Sequence, residues 1–255
     1  MKTPSKWVDI SIPLIFDGAQ PNAYGVATAT GTACRAGTLV GDTREGGSCN
    51  FEEYRFIPHC NGTHTECVGH ITEERISVRQ CLEDVLMSAL LISVAPIEAV
   101  SCGESYASRF DTTDRMLSAS DLHRAIGDMR ADALIIRTLP NAEEKLKASY
   151  ADSTVPFLSH DAVKLINESD FKHLLVDLPS IDRLSDEGKL SNHRIFWGME
   201  LGTTSRPSVE FCKKTVTEFI FVPNSLADGL YELNLQIAPF ETDASPSRPL
   251  LRSLK

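Results

Sequence analysis

Short apolar stretches recur along the chain, each bounded by polar or turn-forming positions. Residues 7–12, 54–58, 90–94, 133–137, 174–177, 217–222 and 231–237 have the length and the alternating or continuous apolar pattern of strands. Between some of them the period lengthens to that of a helix. Ser118-Ala119-Ser120-Asp121 supplies N-cap chemistry ahead of an amphipathic stretch over 122–129, and Ser159-His160-Asp161 does the same ahead of 162–166. Strands and helices interleave, so the pattern predicts an α/β protein with a mixed central sheet or barrel-like β core flanked by helices.

Residues 18–50 break this rhythm. They are rich in Gly, Thr, Ala and Asn and poor in large apolar side chains, which predicts loop with short strands, in a position to close over a site. Gly46-Gly47-Ser48-Cys49-Asn50 permits close backbone approach to a ligand or an ordinary turn. With no internal repeat, low-complexity tract or linker, residues 1–255 read as one domain, long enough to bury a sizeable core.

Charge and composition narrow the function. A formal net charge of -10 without clustered Lys and Arg argues against nucleic acid as a partner and favours a small-molecule substrate. No apolar run approaches the roughly 20 residues of a membrane span, and Met1 to Lys6 lead into the first strand without a signal-peptide core, so a cytoplasmic location is expected. The seven cysteines (34, 49, 60, 67, 81, 102 and 212) lack the paired spacing of a zinc ribbon or redox motif and read mostly as buried thiols.

The densest chemistry lies in His59-Cys60-Asn61-Gly62-Thr63-His64-Thr65-Glu66-Cys67-Val68-Gly69-His70. Imidazole, thiolate and carboxylate are the donors that hold a divalent transition metal, and a catalytic metal leaves positions open for water or substrate. In an extended stretch Cys60, His64, Glu66 and His70 would share one side, with a bend at Asn61-Gly62-Thr63 to bring them together. The same parity turns His59 and Cys67 away, so His59 reads as a structural histidine. His160 reads as a helix-end residue, His173 as a strand start and His123 as solvated. Two rivals to metal chemistry stand: a Cys60 or Cys67 nucleophile paired with a neighbouring imidazole, and a binding protein without catalysis. A serine triad has little support, since no Gly-x-Ser-x-Gly elbow is present.

Gly62-Thr63-His64-x-Glu66-x-x-x-His70 resembles the His-x-Gly-Thr-His-x-Asp-x-Pro-x-His signature of the cyclase family of metal-dependent hydrolases, which includes bacterial kynurenine formamidase and isatin hydrolase. Asp9-Ile10-Ser11-x-Pro13-Leu14, Asp177-Leu178-Pro179-Ser180-Ile181-Asp182 and Ser245-Pro246-Ser247-Arg248 are similar to further segments of that family, in the same order. The resemblance implies a swivelling β/β/α fold and a homodimer or higher homo-oligomer. It implies one or two zinc or manganese ions on Cys60, His64, Glu66, His193 and Glu218, with His70 as proton donor and acceptor in hydrolysis of a formamide or cyclic amide. Three positions depart from the family: Cys60 stands where it has its first metal histidine, Glu66 where it has aspartate, and Val68 where it has proline.

Overall fold

The computed structural model describes residues 6–151 and 154–254. Its centre is a nine-stranded mixed sheet made of β1 (Val8–Asp9), β2 (His64–Cys67), β3 (Leu86–Val94), β4 (Ala133–Thr138), β5 (His173–Val176), β6 (Thr215–Glu218), β7 (Gly229–Asn234), β8 (Ala244–Pro246) and β9 (Leu250–Ser253). The spatial order is β1-β9-β7-β3-β4-β5-β6-β2-β8. Strands β3 to β6 run parallel, and the remaining pairings are antiparallel. An antiparallel bridge between Ser11 and Ile220 ties the chain beyond β1 to the chain beyond β6, so the sheet curls.

The central strands are continuous in apolar character because both of their faces are covered. Leu90, Leu134, Leu174 and Val216 form one row across the register. They pack in the core that also holds Leu122 and Ile126 of α2 (Ala119–Ile126), Val163 and Ile166 of α3 (His160–Glu168), and Phe196 and Trp197. The alternate residues Leu91, Ile135 and Leu175 point into the curl, against Ile10, Ile220, Leu233 and Leu251. Each such side chain contributes on the order of 1.5–3 kcal/mol by leaving water. Ser118 and Ser159 cap their helices as the sequence predicts, accepting from the Asp121 and Ala162 amides.

Two departures from the sequence reading move chemistry. Pro58 opens the short helix α1 (Pro58–Asn61) instead of closing a strand, since proline is at home in a first helical turn. The strand expected over 217–222 is β6, which stops at Glu218 because Phe219 takes a left-handed φ of 56°. The segment 18–50 does hold short strands, Thr30–Ala33 paired with Glu52–Arg55 and Arg35–Ala36 paired with Leu39–Val40.

His173, at the start of β5 as expected, is 5 % exposed and bonds Thr215 Oγ1 through Nδ1 at 2.8 Å. Burial dominates the opposing pull of Asp132 and Asp84 and, with Lys172 and Lys214, lowers its pKa from 6.5 to about 4. The unfolded chain therefore takes up a proton on this ring first, and the stability that the neutral ring contributes is lost as pH falls from 6.5 towards 4. The shift corresponds to about 3 kcal/mol by linkage. His173→Gln is expected to flatten that part of the stability curve, as read by urea unfolding at a series of pH values. An unchanged slope between the two proteins would contradict this account.

Candidate metal centre

The parallel strands β5 and β6 end on the same side of the sheet, and β2 runs antiparallel to β6 with His64 opposite Glu218 and Glu66 opposite Val216. His64 and Glu66, two apart on a strand, therefore project to one face beside Glu218. Hydroxyl contacts fix this register: Thr65 Oγ1 lies 2.8 Å from Thr217 Oγ1, and Thr63 Oγ1 accepts from the Ile12 amide while donating to the Phe219 carbonyl. His193 reaches the same point from α4 (Ser191–Phe196).

His64 is fully buried and its Nδ1–H donates to the Gly62 carbonyl at 3.0 Å, which leaves Nε2 as a lone pair. That lone pair sits 3.8 Å from Glu66 Oε2 and 3.5 Å from Glu218 Oε2. His193 repeats the arrangement, its Nδ1–H donating to Asp182 Oδ2 at 2.6 Å while Nε2 lies 2.8 Å from Glu66 Oε1 and 3.6 Å from Glu218 Oε1. His64 Nε2, His193 Nε2 and Glu66 Oε1 are buried without a hydrogen-bond partner. Lone pairs converging with carboxylates require a cation between them, either protons or a metal ion, and this donor set fits a divalent ion.

His59 and Asp243 extend the cluster. His59 Nδ1 lies 2.8 Å from Glu66 Oε2 and its Nε2 lies 2.8 Å from Asp243 Oδ2. His70, on the single turn Val68–His70, stacks on His59 at 4.2 Å between centroids and places Nδ1 3.4 Å from the same Asp243 oxygen. Among the described residues, three sets of donor atoms each gather within 4.8 Å: His59, His64 and Glu66; Glu66, His193 and Glu218; and His59, His70 and Asp243.

Electrostatics follow from four carboxylates meeting four imidazoles in a buried space. Burial opposes the charge on Glu66, yet His70 and His193 hold its carboxyl well below the usual range. Burial likewise opposes a charge on His193, but Glu66 and Asp182 carry its pKa well above 6.5. His59 is pushed up to about 10, burial being outweighed by Asp243 and Glu66.

The predicted residues His64, Glu66, His193 and Glu218 thus come together, and Glu66, His193 and Glu218 share with His70 the lining of a cavity of about 480 Å³. Cys60 lines it too, but outside the three donor sets, with its thiol pushed up to about 11 by burial and by Glu218. His59 does not turn away as parity suggested, because residues 58–61 are helical and the alternation of an extended strand does not apply to them. Cys67 is fully buried and donates to the Ile76 carbonyl. Gly46 to Asn50 do not line this cavity, whereas Tyr24 from the same long segment does.

Asp243 carried no sequence signal beyond standing two residues before Ser245-Pro246. Asp182 belonged to a noted motif but its work is visible only in the fold. It accepts from the Asn192 amide, from Tyr106 Oη at 2.7 Å and from His193, and so fixes the tautomer of that ring. His160, first residue of its helix, contacts Ser191 Oγ at 3.0 Å outside this cluster.

The Cyclase family model matches residues 8–183. Kynurenine formamidase of Bacillus anthracis is 26% identical over 256 residues, covering all of both chains. Among solved structures, a predicted metal-dependent hydrolase from Bacillus stearothermophilus superposes with a TM-score of 0.63 at 15% identity, covering 98% of each chain. Isatin hydrolase A from Labrenzia aggregata does so with a TM-score of 0.63 at 14% identity, covering 98% of this chain and 94% of the other.

The hydrogen bond from His193 to Asp182 generates a prediction. Asp182→Asn keeps the shape of the side chain but removes the charge that holds Nδ1–H, and zinc affinity is expected to fall about 10- to 100-fold with the circular dichroism spectrum unchanged. Calorimetric titration of metal-free protein with zinc measures it, and equal affinities would remove Asp182 from the site.

Proposed function

The chain belongs to the Cyclase family as a metal-dependent amide hydrolase, and from that premise we propose that it cleaves an aromatic formamide or cyclic amide, with His70 moving the proton. The observation that carries the reading is the pair of unpartnered buried lone pairs, His64 Nε2 and His193 Nε2, aimed at the Glu66 and Glu218 carboxylates. His59, His64, Glu66, His193 and Glu218 would hold the metal, zinc or manganese, which when bound supplies Lewis acidity towards a water molecule and a carbonyl oxygen. The two oxygens of Glu66 face different imidazoles, Oε2 towards His59 and His64 and Oε1 towards His193, so the donor sets on its two sides would suit one or two ions.

The chain's own residues account for the remaining steps. Asp243 faces Nδ1 of His70, which leaves Nε2 to accept the proton of the attacking water and return it to the departing nitrogen. Tyr24, held protonated by burial of its hydroxyl and by Glu218, is a donor available to the substrate oxygen. Ile57, Pro179, Leu184 and Leu190 give the cavity apolar walls for an aromatic ring. A buried, protonated Cys60 thiol disfavours the thiolate alternative.

Elemental analysis of protein purified without chelator is expected to find one or two zinc or manganese ions per chain. His59→Ala is expected to lower that content and Cys60→Ala to preserve it; the reverse result would return the ligand role to Cys60. His70→Ala is expected to keep its metal and lose about 10²- to 10⁴-fold in kcat on an aryl formamide. Protein that binds no metal when supplied with it would overturn the reading.

A further inference from the structure

At the opposite ends of β5 and β6 lies a second cavity, of about 420 Å³, lined by residues that the hydrolytic reading does not use. Lys214, the residue before β6, is only 7 % exposed. Its Nζ donates to Asn167 Oδ1 at 2.8 Å and stands 5.0 Å and 5.4 Å from the centroids of the Phe196 and Phe211 rings. Lysines 145, 164, 189 and 213 form ion pairs, whereas Lys214 has no carboxylate within ion-pair distance among the described residues. A buried ammonium with donors to spare, whose opposing charges on Glu210 and Asp170 act only from beyond ion-pair distance, is costly unless something closer supplies a counter-charge.

His173 shares this cavity and is also more than nine-tenths buried. Nδ1 lies 2.8 Å from the Thr215 hydroxyl, and in the tautomer in which that hydroxyl donates, Nε2 carries the proton and is free to donate to a ligand. Two unspent donors therefore meet at one place. The charge of the other sign is present as well. Asp84, Asp170 and Glu210 line the cavity without an ion pair among the described residues, while Glu83 is taken by Lys213 at 2.9 Å.

An anion alone would satisfy Lys214 but face three unpaired carboxylates, and a cation alone would leave Lys214 uncompensated. A ligand bearing both charges satisfies both sets. We propose that this cavity binds a small zwitterion of the α-amino-acid class with an aromatic side chain, its carboxylate on Lys214 and His173, its ammonium towards Asp84, Asp170 and Glu210, and its ring against Phe211. The volume lies within the range of small-molecule pockets, more than a carboxylate and an ammonium alone would fill.

The test is calorimetric titration of the full protein with L-phenylalanine, 3-phenylpropionate and phenethylamine, before and after chelation of metal. L-phenylalanine is expected to bind one per chain in both metal states, and each single-charge analogue at least about tenfold more weakly. Lys214→Met is expected to weaken L-phenylalanine at least about tenfold. Should that variant fail to fold, Asp170→Asn combined with Glu210→Gln changes only exposed side chains and is expected to weaken L-phenylalanine while leaving 3-phenylpropionate no weaker. No binding of L-phenylalanine at about 10 mM, equal binding of 3-phenylpropionate, loss of binding on chelation, or indifference to the substitutions would each overturn the proposal.

Discussion

Everything around the proposed metal centre is arranged by one buried carboxylate. Glu66 is 1 % exposed and lies within 4 Å of His59, His64 and His193. A carboxylate cannot stay charged in such a place without compensation, and desolvation alone would raise its pKa. The imidazoles reverse that tendency, and they can do so only while three separate segments, α1, β2 and α4, remain docked on one another. The centre thereby couples folding to binding: the same contacts that make Glu66 a good ligand are lost when any of those segments leaves.

The sheet makes this convergence inexpensive in backbone terms. Glu66 and His64 occupy a strand paired on both sides, by β6 and by β8, so the peptide groups beneath the charges are already satisfied. Polar demand is thus confined to the side chains. Their outer partners meet it with further fixed groups: Gly62 for His64, Asp182 for His193, and the Ile181 amide, which donates to Glu218 Oε1 at 2.9 Å. Tyr106 then satisfies the far oxygen of Asp182. The network ends on backbone and hydroxyl groups, which need no further counter-charge.

The sequence made the central strands legible because Leu90 to Val94, residues 133–137 and residues 174–177 are apolar on both faces, and a doubly covered strand leaves that mark wherever it sits. The helix caps at Ser118 and Ser159 were legible for a local reason, a side chain bonding its own neighbouring amides. His64, Glu66, His193 and Glu218 were gathered by motif order along the chain, and the fold brings them together, Glu66, His193 and Glu218 lining one cavity and His64 buried beside Glu66 and Glu218. His59 was not legible, since parity is a property of strands and four residues headed by Pro58 became helix. Asp243 was hidden for a different reason. It meets His59 across 184 positions of sequence, and nothing local distinguishes an aspartate that will cross that distance from one that faces water.

The two cavities also follow one rule of placement. Between His173 and Asp177, β5 carries only Leu174, Leu175 and Val176, all fully buried, and its neighbour β6 places Val216 in the same row. Charged groups are excluded from that middle because no water reaches it, and the hydroxyl it does hold, on Thr217, is satisfied by Thr65. Charged groups collect at the two ends, where chain direction changes and amides and cavities become available. At one end Asp182 lies beyond β5 and Glu218 closes β6, and at the other His173 opens β5 and Lys214 precedes β6. A parallel strand buried on both faces thus has two chemically distinct termini separated by an apolar span of three or four residues, and this chain has placed unsatisfied polar groups at both.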